Sequence, residues 1–431
     1  MTFNLTPAEC YVYLTLPGQT TPVTAGRFTL TTNRQGVPIG RFIYGKHYLA
    51  RPDAVPLDPV ELKLSSKIYE TVALKGVFGA IRDAGPDYWG RRVIERYLGT
   101  SQLSEMSYLL YSADDRAGAL SFGLHQMPPA PRRIFNQTIE LEKLQRMADA
   151  MVNDEDLPDD AINNQIEELL LIGTSMGGAR PKAVVEDQEA LWIAKFNRPD
   201  DKWNNACVEH AMLMLARACG LTTAESRIIR VSGREVLLVK RFDREKMQDG
   251  YLRSRMISAL TLLRAEDNYT GRDKWSYILL AEELRRCCAE PKKESIELFR
   301  RMCFNALISN IDDHPRNHAI IAKDRQWKLS PAYDLTVLLP ISIERRELAM
   351  ICGDSGRFAN AANILSQSPR FMLEKDEAIN IVKNMENQVR STWYPTARAA
   401  GVSERDCEKI KYAFNYPGFL SHSHNLRGGI I

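Results

Sequence analysis

The chain has 431 residues, 57 Lys+Arg against 54 Asp+Glu, a formal charge of +3 and 44% hydrophobic content. This composition belongs to a globular chain of two or three domains and excludes wholesale disorder and fibrous repeats. No run approaches the roughly 18 apolar residues of a membrane helix, and the near-balance of charge removes any global argument for nucleic-acid binding. The opening Met1–Pro7 has neither a basic region nor a following apolar run, so no signal peptide is expected. The eight cysteines form no C-x-x-C pair. They read as reduced, mostly core residues in a reducing cytoplasm.

The first 60 residues read as strands. Tyr11–Leu16 is aromatic and β-branched and ends at Pro17-Gly18; Gly26–Leu30 and Ile39–Tyr44 look like its partners. A helix is expected over Asp87–Leu98, in a module taken to have no chemistry of its own. Pro128-Pro129-Ala130-Pro131 marks a boundary, because three prolines in four residues continue neither a helix nor a central strand. A helical stretch near 140–152 and an acidic, solvated run at 154–160 follow. Strands are expected at Ala183–Val185 and Leu191–Phe196. A helix should run from Asn205 to Cys219, with Asn204 as N-cap, Gly220 as stop, and Val208, Met212, Leu215 and Cys219 on one face. Arg227–Val231 and Glu235–Lys240 flank a Ser232-Gly233 turn as a hairpin, and the remainder reads as mostly helical.

The densest chemistry lies in Ser309–His318. Pro315 forbids helix continuation and pushes His314 out of the α region, so these polar residues form a loop held by the preceding helix. Asp312 and Asn317 stand in the D-x-x-x-x-N spacing of a kinase catalytic loop, where the Asp takes a hydroxyl proton and the Asn holds Mg2+. Asp334 follows the strand-like Gln326–Leu329 and suits a second metal ligand. His314 and His318 have the spacing of a helical zinc pair, but Pro315 between them argues against that helix.

Upstream, the run Gly173–Lys182 fails both the Walker and the G-x-G-x-x-G patterns. It retains backbone N–H groups that suit phosphate, with Arg180 and Lys182 adding positive charge. Lys195 ends Trp192-Ile193-Ala194-Lys195, a close analogue of the strand whose lysine contacts the α and β phosphates, and Glu209 on the next helix is a candidate partner for it. An exposed helix Glu is the plain alternative for Glu209. Lys240–Arg244 stands where a kinase hinge would lie. Gly-rich loop, strand Lys, helix Glu, hinge, D-x-x-x-x-N and strand-end Asp occur in kinase order.

With these residues in hand, the chain resembles the HipA family of bacterial serine/threonine-protein kinases, toxins of type II toxin–antitoxin modules. The marks are Gly85–Arg92, Ala113–Leu120, Ser175–Lys182, Lys240–Arg244, Asn310–Asn317 and Ala332–Leu335. The resemblance implies an α+β, two-lobed protein-kinase-like fold with an added β-rich N-terminal module and an all-helical C-lobe. The implied domains are 1–130 (N-terminal module), 131–245 (kinase N-lobe) and 246–431 (helical C-lobe). It implies ATP and Mg2+ as cofactors, with Asp312 as base and Asn317 and Asp334 on the metal. Around the nucleotide it places Gly177, Gly178, Ala179, Arg180, Pro181, Lys182, Lys195, Lys240, Arg241, Phe242, His314, Pro315, Arg316, Asn317, Tyr333 and Asp334. It makes Ser175 an autophosphorylation site that silences the kinase, with Thr174 beside it able to share that role.

The implied partners are a small helix-turn-helix antitoxin like HipB, operator DNA reached mainly through it, and a protein substrate, an aminoacyl-tRNA synthetase in some members. The implied location is the bacterial cytoplasm, with no membrane partner. Two features depart from the best-known pattern: the loop reads Gly-Gly-Ala-Arg-Pro-Lys, and Asp313 stands where a Gly is often found. Two other readings use the same residues, a catalytically weak co-repressor acting with its antitoxin on DNA, and a small-molecule kinase.

Overall fold

The structure is a computed structural model of the chain and describes residues 7–101, 103–130, 136–137, 140–153, 180–339, 342 and 344–420. The acidic run at 154–160 and the Gly-rich stretch from 173 to 179, including Thr174, Ser175, Gly177, Gly178 and Ala179, lie outside the described residues.

In chain order, strands β1 (Glu9–Thr15), β2 (Pro22–Thr32), β3 (Pro38–Tyr44) and β4 (Tyr69–Thr71) precede helices α1 (Tyr88–Leu98) and α2 (Glu105–Tyr111). Then come β5 (Leu120–Gly123), β6 (Asn136–Gln137), α3 (Leu141–Val152), β7 (Lys182–Glu186), β8 (Leu191–Phe196) and α4 (Asn205–Ala218). The hairpin β9 (Ser226–Val231) and β10 (Arg234–Lys240) leads to three short strands, β11 (Arg244–Met247), β12 (Gly250–Arg253) and β13 (Arg255–Ser258). Helices α5 (Tyr277–Cys287) and α6 (Pro291–Leu307), strands β14 (Ala319–Ala322) and β15 (Lys328–Leu329), and helices α7 (Lys375–Ala399) and α8 (Glu404–Ile410) complete the principal elements.

The chain divides into two compact units that are discontinuous in sequence. The first takes in Met1–Arg198, Lys240–Thr261 and Ile320–Trp327; the second takes in Pro199–Val239, Leu262–Ala319 and Lys328–Ile431.

In the first unit, β1 to β5 form an antiparallel sheet in the order β4-β3-β2-β1-β5. Val12, Leu14, Phe28 and Phe42 are fully buried, and so is Tyr13 between the first two, so this part of β1 is covered on both faces. Strands β7 and β8 pair antiparallel, and Ala183, Val184, Val185, Leu191, Trp192, Ile193 and Ala194 are all buried. Helix α3 packs against this pair through Leu144, Met147, Ala148 and Met151.

The second unit is built on helices. In α4, Val208, Met212 and Leu215 are buried, the Asn204 side chain accepts from Cys207 N–H, and Gly220 follows with φ +82°. That is a capped amphipathic helix with a left-handed stop. Phe299, Cys303 and Leu307 line the buried face of α6, which packs on α5 and α7. The β9–β10 hairpin turns through Ser232 and Gly233, both at positive φ, the two-residue geometry that matches the strands' right-handed twist. The stretch expected to be all helical from 246 onward also carries β12 to β15, whose two- to four-residue length gives almost no periodic signal. All eight cysteines are free thiols.

Candidate active site

The Ser309–His318 segment is fixed at its base by the end of α6. Asn310 N–H donates to the Asn305 carbonyl at 2.9 Å, and the Asn310 side-chain amide donates to Asn305 Oδ1 at 3.0 Å. The Asn305 amide reaches the Tyr277 hydroxyl at 3.3 Å, and that hydroxyl donates to Asp313 Oδ2. His318 Nε2 meets the same oxygen at 2.6 Å. Tyr277, Asn305, Asp313 and His318 are all at most 2% exposed, so Asp313 faces inward as the acceptor of a buried network. The neighbouring Asp312 points the other way and is exposed. One residue of chain separates a buried carboxylate from an exposed one.

Pro315 forces the geometry between them. His314 is extended (φ −86°, ψ 167°), and Pro315–Asn317 make one tight turn closed by Asn317 N–H to the His314 carbonyl at 2.9 Å. The turn brings Asn317 back toward Asp312, with its amide nitrogen 3.5 Å from the Asp312 carbonyl oxygen. Asn317 Oδ1 is buried and has no hydrogen-bond partner. A buried amide oxygen without a donor is a costly arrangement that a hard cation would relieve.

Asp334 arrives from a separately anchored segment. Ser330 N–H donates to the Ala319 carbonyl at 2.8 Å, and the buried Arg301 guanidinium donates to the Ser330 carbonyl at 2.6 Å. Ala332 is bracketed by Thr222 and Ala224 in a backbone bridge, and the Tyr333 hydroxyl donates to the Arg316 carbonyl at 2.8 Å. Asp334 itself takes φ +58°, the left-handed region that a non-glycine residue occupies at a price in strain. Burial raises the Asp312 carboxyl above its ordinary value, the negative fields of Asp334 and Asp313 push the same way, and His314 opposes them. Asp312 and Asp334 therefore repel each other.

Two carboxylates and one amide oxygen suit Mg2+, which takes one or two protein carboxylates and completes its shell with phosphate oxygens and water. Among the described residues no group of three or more His, Cys, Asp or Glu side chains forms a self-sufficient metal site. His314 and His318 do not make the helical pair of a zinc site, since His318 is turned onto Asp313. Arg316 directs its guanidinium to Asp267 at 2.7 Å, so its side chain is already committed.

The remaining expected nucleotide residues that the structure describes belong to the first unit. Lys195 is half-buried near the end of β8, Lys182 begins β7 directly opposite it, and Pro181 and Arg180 precede β7. Lys240 and Phe242 are half-buried. Arg241 is wholly buried: its guanidinium donates to Asp243 at 2.9 and 2.8 Å and to the carbonyls of Asp115 and Arg116 at 2.5 and 2.7 Å. Its N–H donates to the Leu191 carbonyl at 2.9 Å. Glu209 belongs to the second unit and is 8% exposed, which sets aside the exposed-helix alternative for it.

The chemistry of the N-terminal blocks was missed from sequence. Arg116 is buried and donates to the carbonyls of Ala84, Leu109 and Ser112, while Asp243 accepts from Gly118 N–H at 2.9 Å and from Arg241 and Arg244. Those arginines hold the Asp243 carboxyl far below its usual range even though burial pushes it up. The Ala113–Leu120 and Lys240–Arg244 motifs are thus two halves of one buried polar joint. Charged residues interleaved with glycine were the only visible signal.

A family model described as the HipA-like C-terminal domain matches residues 174–393, and one described as the HipA N-terminal domain matches 22–123. Two curated relatives carry the name "Putative kinase". Y4mE of Sinorhizobium fredii is 27% identical over 335 residues, 73% of this chain and 76% of its own. A Haemophilus influenzae protein is 25% identical over 186 residues, 39% of this chain and 54% of its own. Among solved structures, the Shewanella oneidensis MR-1 toxin–antitoxin complex of HipA, HipB and operator DNA matches with a TM-score of 0.65 at 15% identity, covering 98% of this chain and 100% of that one. The expected mixed helix-and-sheet fold is the fold found, and with the C-terminal model alone spanning half of its residues the chain belongs to the HipA family.

Proposed function

We propose that this chain is an ATP- and Mg2+-dependent serine/threonine protein kinase acting as the toxin of a toxin–antitoxin pair. The observation that carries the reading is the convergence of Asp312, Asn317 and Asp334. Asp312 is exposed and partly desolvated, Asp334 repels it, and Asn317 Oδ1 is buried without a partner. In this reading Asp312 accepts the proton of the attacking hydroxyl, and Asn317 and Asp334 supply metal oxygens. Bound Mg2+ would neutralise charge on the phosphates. Lys182 and Lys195 contact phosphate oxygens, and the Lys240–Phe242 stretch lies along the adenine.

The likeness to a HipA–HipB–operator complex supports a small helix-turn-helix antitoxin as partner, with operator DNA reached mainly through it. The substrate is a cellular protein, with aminoacyl-tRNA synthetases the first class to examine. Ser175 is the proposed autophosphorylation site, because a phosphate there would add nearly two negative charges close in sequence to Arg180 and Lys182.

Incubating the purified chain with γ-labelled ATP, Mg2+ and host lysate tests the reading. The expected result is label on a discrete set of proteins at Ser or Thr, together with phosphate on Ser175 by mass spectrometry. A lysate left unlabelled by a folded chain that still binds the operator with its antitoxin would favour the co-repressor reading.

A further inference from the structure

The turn that stops α6 carries a serine where the geometry favours glycine. Asn310 N–H bonds the Asn305 carbonyl at 2.9 Å and Ser309 N–H bonds the Ala306 carbonyl at 3.4 Å, the paired closure of a Schellman stop. That stop needs a left-handed residue, and Ser309 supplies it at φ +56°, where a glycine would sit without strain. Its hydroxyl offsets the strain. Ser309 Oγ donates to the Ala413 carbonyl at 2.5 Å and accepts from the Arg346 guanidinium. Arg346 also donates to the carbonyls of Tyr412 and Ala413 at 2.7 and 3.2 Å, and its guanidinium lies 4.5 Å from the centre of the Tyr416 ring. Ser309 and Arg346 are both buried, so water does not compete for these bonds.

This joint stands between the two carboxylate segments. Ser309 lies three residues before Asp312, and its carbonyl accepts from the N–H of Leu338, four residues after Asp334, at 3.1 Å. One residue therefore ties the loop that carries Asp312 to the chain that carries Asp334. The two carboxylates repel each other, so these segments tend to part unless they are held. Asp334 is itself left-handed at φ +58°, which leaves strained backbone at both ends of the tie.

We propose that Ser309 and Arg346 are positioning residues for phosphoryl transfer, fixing the spacing of Asp312 and Asp334 on which the metal and the attacking hydroxyl depend. The inference rests on the kinase reading of those aspartates. The bonds of Ser309 and Arg346 are made to each other and to neighbouring backbone, so they act through the aspartates and not on the substrate. A misplacement of about 1 Å in a reacting group costs about a hundredfold in rate.

The test compares the full-length chain with Ser309→Gly, Ser309→Ala and Arg346→Lys. It reads the initial rate of transfer from γ-labelled ATP to lysate protein at saturating ATP, the Mg2+ concentration giving half that rate, ATP affinity without Mg2+, and the thermal midpoint. Ser309→Gly keeps the stop and relieves the strain while deleting the hydroxyl, so it should unfold near the wild-type midpoint. The expected result in Ser309→Gly and Ser309→Ala is a rate about ten- to a hundredfold lower, a raised Mg2+ requirement and unchanged ATP affinity without metal. Arg346→Lys keeps the charge but loses the fork that spans Ser309 and Tyr412, and should fall the same way. A Ser309→Gly chain with the wild-type rate and Mg2+ requirement overturns the inference and leaves the kinase reading standing. A lowered midpoint in Ser309→Ala or Arg346→Lys, with rate and Mg2+ requirement unchanged below it, marks a purely structural joint and also overturns it. A folded wild-type chain that transfers no label overturns the kinase reading and this inference with it.

Discussion

Asp312 and Asp313 show how little sequence context separates an exposed carboxylate from a buried, fully engaged one. Both are aspartates in one short loop, yet Asp313 is 1% exposed and bonded to Tyr277 and His318, while Asp312 faces solvent and is repelled by Asp334. Asp313→Asn replaces the charged acceptor of that network and should destabilise the fold by about 1.5–3 kcal/mol. Asp312→Asn removes a carboxylate from a repulsive site and should leave the thermal midpoint unchanged or raised. Thermal unfolding of the two variants side by side checks this; an Asp312→Asn midpoint lowered as much as that of Asp313→Asn would contradict the division of labour. The D-x-x-x-x-N spacing was legible because Pro315 fixes the turn that folds Asn317 back. The inward fate of Asp313 was not, because it depends on Tyr277, 36 residues away.

At the scale of elements, amphipathic period and capping chemistry account for most of what the sequence made visible. Asn204 before α4 and the Ser232-Gly233 turn each sit where the side chain or positive φ is needed, whereas Asp87, expected as the first residue of its helix, is the N-cap of α1. What stayed hidden was how elements lock together. Glu105 on α2 takes Arg91 from α1, and although burial pushes its carboxyl up, the bonds from Arg91 and the charges of Arg82 and Lys75 bring it below its ordinary 4.5. A depressed folded value means that this stabilisation is complete above the unfolded pKa and is lost as pH falls through the folded one. Glu105→Gln should therefore cost about 1.5–3 kcal/mol near neutral pH. The gap from wild type should close under acid conditions below the depressed value. A gap in thermal midpoint that stays constant down the pH series would show that the charge is not what the clamp uses.

For the whole molecule, sequence order and spatial order part company. Gly118 and Asp243 are 125 residues apart, and the bond between them belongs to a compact unit that also recruits Ile320–Trp327. No local pattern announces such a joint, which is why the N-terminal blocks read as family marks before their physical role was apparent. The base and metal candidates, by contrast, sit in one unit on elements anchored by α6, and they carry the account's central claim: Asp312 takes the hydroxyl proton as the γ-phosphate of ATP is transferred. The most direct test is the rate of transfer from labelled ATP with Mg2+ by wild type and by Asp312→Asn, each at saturating ATP and with ATP affinity measured in parallel. A positioned base contributes about 10²- to 10⁴-fold, so the account predicts a loss of that size at unchanged ATP affinity. An Asp312→Asn chain that transfers phosphate at the wild-type rate would contradict it.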